Sequence, residues 1–199
     1  MDKYSIRLIA EDDALDVLNI YKPYVQNTII SFEYEAPELR EYTQRIKLNI
    51  ADFPWLVCLQ DQKIIGYAYA GKYGQRKAYQ WSAESSIYLC PEAQGKGIAK
   101  VLYETLFSIL RLQGYFNIYA AISVPNEASL NFHKALGFKM IGAFEKAGYK
   151  MGNWHDVHWL QLQLIEHLHD PPEPRKIGEI VRSVQFQDIM QAANEKLNT

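Results

Sequence analysis

Gln94-Gly95-Lys96-Gly97-Ile98-Ala99 follows a strand-like run, Ala83-Glu84-Ser85-Ser86-Ile87-Tyr88-Leu89, and precedes Val101, Leu102, Leu106, Ile109 and Leu110 at helical spacing, closed by Gly114. Strand, glycine turn, helix is the order that decides the local fold. The first N–H groups of a helix have no carbonyl one turn earlier, and the aligned peptide dipoles leave partial positive charge there, so this turn is an anion site. Glycine lets the backbone approach a phosphate closely, and Lys96 and Lys100 add charge. Neither Gly-x-Gly-x-x-Gly nor Gly-Lys-Ser/Thr occurs, which argues against dinucleotide and nucleoside-triphosphate enzymes. Taken by itself, the hexapeptide still allows an ordinary strand-to-helix turn.

Upstream, residues 5–8 read as a strand, and Glu11-Asp12-Asp13 start a helix carrying Leu15, Val17, Leu18 and Tyr21, with Pro23 stopping it nearby. Pro37-Glu38 opens a second helix with Leu39, Tyr42, Ile46 and Ile50, after an aromatic loop holding Phe32 and Tyr34. Residues 55–59 and 64–70 flank a polar turn as a β-hairpin, and 72–80 is a polar loop. Downstream come a strand over 118–124, a helix over 127–136 ended by Gly137, and strands over about 140–147 and 155–164. Asp170-Pro171-Pro172-Glu173-Pro174 admits no regular element. The expected division is a domain over 1–165 and, over 166–199, a Pro-rich linker with a tail of one or two amphipathic helices.

The 199 residues carry 21 Lys+Arg against 23 Asp+Glu, a balance that argues against binding a nucleic-acid backbone. With 48% hydrophobic residues the chain can bury roughly 70% of its unfolded surface, enough for a core without disulfide or metal. Cys58 and Cys90 each sit in an apolar run and read as reduced thiols. Residues 1–7 hold no signal-peptide core, and no run approaches the ~20 apolar residues of a membrane span. A soluble, cytoplasmic protein is the expectation. The pairs His155/His158 and His167/His169 lack a convincing further ligand set, so no metal is expected.

A second segment, Asn126-Glu127-Ala128 through His133 to Gly137-Phe138, lies after the glycine turn in the right order. Together the two resemble the GNAT superfamily of acyl-CoA-dependent N-acyltransferases: Gln94 to Ala99 as the pyrophosphate loop, Asn126 to Phe138 as the Asn-x-x-Ala…Gly-Phe helix. Residues 78–88, His133 in place of the family's usual tyrosine, and residues 148–157 are similar to the branch that acetylates phosphinothricin and methionine sulfoximine. The resemblance covers about 4–164. It implies an α/β fold, a mixed, twisted sheet with helices on both faces, centrally split around Ile87 and Ile118, with the C-terminal helical extension outside the resemblance. It also implies acetyl-CoA as co-substrate and a homodimer in which residues 148–158 help wall the site.

An amine attacks a thioester only as the free base, so a proton acceptor is required. The resemblance places that carboxylate at Glu84 and puts His133 where a proton donor or a CoA contact stands. It assigns Ile87, Tyr88, Leu89, Gln94, Gly95, Lys96, Gly97, Ile98, Ala99, Lys100, Asn126 and His133 to the cofactor. Arg76, Lys77, Ala78 and Tyr79, with Phe32 and Lys150, are expected to line the acceptor site, a guanidinium being suited to a carboxylate. The expected reaction is acetylation of a small amino-acid analogue such as phosphinothricin, methionine sulfoximine or methionine sulfone. Alternatives are another amine (a peptide N-terminus, an aminoglycoside, a polyamine) or a non-catalytic acyl-CoA-binding module. Truncation after Leu164 is expected to spare the chemistry unless the tail completes the dimer.

Overall fold

Side chains alternate across a strand, and the hairpin that begins the sheet uses that alternation on both faces. The computed structural model describes residues 4–198. Strands β2 (Trp55–Gln60) and β3 (Lys63–Lys72) are joined by Asp61 and Gln62 at φ of 47° and 74°. Two left-handed residues are what a tight turn matching the strand twist requires. β1 (Tyr4–Leu8) pairs antiparallel with β2, and β4 (Ser82–Leu89) with β3. β5 (Asn117–Val124) lies parallel to β4, and β7 (Asn153–Gln163) and β6 (Lys139–Lys150) complete the order β1-β2-β3-β4-β5-β7-β6. This is the mixed α/β architecture expected.

The parallel pair is short. β4 and β5 meet only at Ser82↔Asn117, Ala83↔Ile118 and Glu84↔Tyr119, while β5 stays paired with β7 as far as Val124↔Asp156 and β4 with β3 as far as Leu89↔Gly66. Beyond Glu84 the sheet is split. Ile118 belongs to the paired segment, so the opening begins later along β5 than that residue.

Helices α1 (Ala14–Asn27) and α2 (Leu39–Asn49) cover one face, packing Val17, Leu18, Tyr21 and Ile46 on Trp55, Val57, Leu59 and Tyr67. On the other face α3 (Ile98–Gln113) buries Leu102, Leu106 and Leu110 with Ile118, Ala120, Ile122 and Leu160. Gly114 at φ 98° ends it. α4 (Glu127–Ala135) follows β5, its N-terminus capped by Asn126 accepting from the Ser129 N–H. Among the described residues no helix is long and apolar enough to cross a membrane.

Two local expectations differ from what is found. α1 continues past Pro23 to Asn27, because the carbonyl deprived of its partner belongs to Asn19, an exposed residue that water can serve. Leu15 is likewise exposed, the buried stripe running through Ala14, Val17, Leu18, Tyr21 and Val25.

The C-terminal stretch forms two helices, α5 (Ile177–Ile180) and α6 (Val184–Leu197), and both are packed on the domain. Ile177, Ile180, Phe186 and Ala193 join the α3-side core. The Asn194 side chain accepts from Ile6 N–H at 2.7 Å and donates to Ile6 C=O at 3.1 Å, satisfying backbone groups of edge strand β1. The linker is held as well: Trp81 Nε1 donates to the Pro172 carbonyl at 2.8 Å and Arg175 N to Gln113 O at 2.8 Å. We therefore expect removal of 165–199 to strip apolar cover from the core. Phe186→Ala should cost about 3 kcal/mol in urea unfolding, and a chain ending at Leu164 should be recovered largely insoluble; a fully stable truncated chain would show the tail to be an independent appendage.

Candidate active site

Past Glu84, β4 turns its outer backbone groups toward an opening instead of a neighbouring strand. The slot, about 60 Å³, is lined from β4 by Ser85, Ser86, Ile87 and Tyr88, and from β5 by residues 120–123. Ile30 closes it on the α1 side, and Tyr103, Asn126, Ser129 and His133 close it on the α3 side. Unpaired strand backbone beside such an opening is suited to an extended amide-bearing chain.

At the end of β4 stand Gly95 and Gly97, with φ of 74° and 78°. A Cβ at either would meet nothing within 4 Å, so it is the left-handed backbone that calls for glycine, and the space above the turn is open. α3 begins at Ile98, and the exposed Lys96 and Lys100 flank its start. Helix N–H groups, two cations and open space fit a diphosphate. Gln94, also exposed, reaches back to the Tyr24 hydroxyl at 3.3 Å.

Glu84 faces the α1/α2 side of the sheet. Its cross-strand neighbour is Gly71, and the next pairs on that face are Tyr69↔Ser86 and Tyr67↔Tyr88. The Tyr69 ring lies flat on Trp55, centroids 4.1 Å apart. Among the described residues no hydrogen bond or ion pair is formed by the Glu84 carboxylate, and burial pushes its pKa above the usual carboxyl value. A half-buried, unpartnered carboxylate at the point where the sheet splits is a proton acceptor in search of a partner.

His133 is 3% exposed. Its Nδ1 lies 2.8 Å from the Ser129 carbonyl, which can only accept, so Nδ1 carries the proton and Nε2 is the acceptor of the neutral ring. Burial lowers its pKa, partly offset by that bond. Facing Nε2 at 3.4 Å is the hydroxyl of Tyr103, 1% exposed and also lining the slot. Tyr103 was not singled out from the sequence; a tyrosine inside the buried stripe of an amphipathic helix, whose hydroxyl must find a partner, was the available signal.

The expected acceptor residues divide. Arg76 to Tyr79 lie on the β3–β4 loop, which leaves and rejoins the sheet at the Glu84 end, beyond the Lys72↔Ala83 pair. Arg76 is exposed and makes no ion pair among the described residues, whereas Lys77 meets Glu173 at 2.9 Å with both side chains largely in solvent. Ala78 is exposed, and Tyr79 packs edge-on against Tyr73, which stacks on Tyr119 at 4.1 Å. Phe32 lies on the α1–α2 loop against Gly148, where a Cβ would fall 2.2 Å from its ring. Lys150 is different: it is buried, and its ammonium donates to two backbone carbonyls, Val25 O and Ser31 O, each at 2.6 Å. Among the described residues no group of three His, Cys, Asp or Glu side chains comes together as a metal site.

The chain resembles known proteins in sequence and fold. Residues 6–159 match the acetyltransferase (GNAT) domain family. A phosphinothricin N-acetyltransferase of Streptomyces viridochromogenes is 33% identical over 169 residues, covering 85% of this chain and 91% of that protein. An L-methionine sulfoximine/L-methionine sulfone acetyltransferase of Salmonella typhimurium is 29% identical over 167 residues, covering 82% of this chain and 96% of that protein. The crystal structure of a GNAT superfamily phosphinothricin acetyltransferase from Sinorhizobium meliloti in complex with acetyl-CoA superposes with a TM-score of 0.83 at 32% identity, covering 91% of this chain and 100% of that one.

Burying Glu84 has a stability signature with a definite sign. Its folded pKa is raised, so the native state favours the protonated form; the stability this contributes is present at low pH and is lost as pH rises through the folded value. Glu84→Gln, which never ionises, should therefore raise Tm at pH 7–8, with the gain vanishing in acid. An equal Tm for the two proteins across that range would mean the carboxylate is solvated.

Proposed function

The chain belongs to the GNAT acetyltransferase family and is an acetyl-CoA-dependent N-acetyltransferase, and from that premise we propose that it acetylates the α-amine of a small amino-acid analogue, as a homodimer. Phosphinothricin, methionine sulfoximine and methionine sulfone are the acceptors that the relatives' names supply. The observation that carries the reading is Glu84, unpaired and half-buried where β4 parts from β5.

Glu84 takes the proton that the attacking amine must lose, directly or through one water. The backbone of Ile87, Tyr88 and Leu89 holds the pantetheine arm as an added strand, through the outward groups of Ile87 and the N–H of Leu89, whose carbonyl already accepts from the Tyr24 hydroxyl. A main-chain N–H there receives the oxyanion formed when the amine adds to the thioester carbonyl. The turn from Gln94 through Gly95, Lys96, Gly97, Ile98 and Ala99 to Lys100 holds the diphosphate. The Asn126 oxygen is occupied by its helix cap, which leaves the amide NH₂ for the pantetheine. A CoA thiolate, whose conjugate acid has an ordinary pKa of about 8.5, departs as the C–S bond breaks. With His133 neutral and Nε2 accepting, the Tyr103 hydroxyl directs its one proton to that nitrogen, so the pair lines the slot as a contact and the thiolate leaves unprotonated.

Arg76 supplies a free guanidinium for the acceptor's carboxylate, and cations on this loop disfavour polyamines and aminoglycosides. A module that only bound acyl-CoA would gain nothing from a buried, unpaired carboxylate. Support for the homodimer is the face of the β6–β7 hairpin, where edge strand β6 and its turn expose Met140, Ile141, Phe144, Tyr149 and Met151, and β7 exposes Trp154.

Release of CoA thiol, measured across the three acceptors and a polyamine, should rank the amino-acid analogues first by kcat/KM; no release above background with any of them would remove the acceptor class. Glu84→Gln should lower kcat by about 10²–10⁴-fold with the acetyl-CoA Kd unchanged, and the acid limb of kcat/KM in the wild type should lie above the ordinary carboxyl range. For the assembly, light scattering should show a dimer that Phe144→Glu together with Trp154→Glu converts to monomer; a monomeric wild type would overturn it.

A further inference from the structure

Lys150 ends β6 at the last pair before the hairpin turn, opposite Asn153. It is 4% exposed, a rare placement for a lysine, and burial pulls its pKa down. A buried ammonium needs partners, and it has two. One is Val25 O, among the last carbonyls of α1, which have no intrahelical donor; the other is Ser31 O, in the loop between α1 and α2. The preceding carbonyl, Tyr24 O, is taken by the Thr28 hydroxyl at 2.6 Å. The end of α1 therefore has no glycine cap. It is closed by a threonine and by a cation from a distant strand, the charge that a helix C-terminus favours.

Other contacts fasten the same loop to the same hairpin. The Tyr34 hydroxyl donates to the Tyr149 carbonyl. Gly148 sits under the Phe32 ring, with no room for a Cβ. Ser31 is additionally bonded through its hydroxyl to Tyr21 at 2.7 Å. The loop so held places Ile30 on the slot, with Ile29 O accepting from the Ser123 hydroxyl of β5 at 2.6 Å, and Phe32 over Gly148.

We infer that Lys150 is a positioning residue: it fixes the α1–α2 loop, and with it the acceptor-side wall carried by Phe32, instead of meeting the acceptor's carboxylate. The inference rests on the acceptor-site reading above. Two of its ammonium's three donors are held by carbonyls and the side chain is closed off from solvent, so an acceptor carboxylate has no open approach to it. The diphosphate turn is on another element, at the start of α3, and among the described residues its side-chain bond to α1 is the one from Gln94 to the Tyr24 hydroxyl.

The test is Lys150→Met, with Lys47→Met on the exposed outer side of α2 as the control for charge removal. In Lys150→Met the acceptor KM should rise about tenfold, with the acetyl-CoA Kd within about threefold of wild type. Amide hydrogen exchange should speed up in residues 28–34 and stay unchanged in 95–102. Gly148→Ala, which pushes on Phe32 without removing the buried charge, should move the acceptor KM and the 28–34 amides the same way, and stands in should Lys150→Met fold poorly. An unchanged acceptor KM, or exchange in 28–34 that does not change, overturns the inference. If the wild type turns over no amino-acid analogue, the acceptor reading has failed, and exchange at 28–34 alone decides whether Lys150 clamps the loop.

Discussion

Three residue pairs, Ser82↔Asn117, Ala83↔Ile118 and Glu84↔Tyr119, make up the ladder between β4 and β5, the one parallel pair among the described strands. Unpaired strand backbone is costly when buried, so a sheet opens like this only where each strand is secured on its other side. Here β3 secures β4 to Leu89 and β7 secures β5 to Val124. A parallel pair also needs a crossover, and α3 provides it. That one constraint delivers the start of α3 to the end of β4, next to the slot, and leaves Glu84 at the fork. The anion turn, the strand-like slot and the position of Glu84, the proposed base, are thus consequences of where a single ladder stops.

Much of this was readable in the residues and some of it was not, for identifiable reasons. Periodicity reports which face of an element is apolar, so the helix after Gly97, the hairpin around Asp61 and most of the strands were legible. The split was not, because it is a property of partners and register; only the resemblance suggested it, and Ile118 proved to lie on the paired side. Lys150 read as a cation for an acceptor because nothing in a sequence says that an ammonium will be enclosed by two carbonyls from residues far away. Tyr103 was hidden in a stripe otherwise read as core. Pro23 read as a stop, although the carbonyl it orphans is exposed and can be served by water.

The segments that carry side chains to the site are held from outside it. The β3–β4 loop is fastened through Trp81 to Pro172 in the C-terminal stretch, and the α1–α2 loop through Lys150 and Tyr149 to the β6–β7 hairpin. Part of what looks like an appendage, and part of what looks like an edge, is therefore support for the two loops proposed to flank the acceptor. The near-balanced total charge conceals different placements: Lys96 and Lys100 flank the turn before α3, Arg76 is exposed on the β3–β4 loop, and Lys150 is internal.

The most direct measurement is a crystal structure of the protein with acetyl-CoA bound. The pantetheine chain should lie between β4 and β5, bonded to the backbone of Ile87–Leu89, with the diphosphate on Gly95–Lys100 and the thioester beside Glu84. A ligand seated instead in the wider apolar groove of Tyr24, Leu89, Cys90 and Gln94, with the slot between the strands left closed, would contradict it.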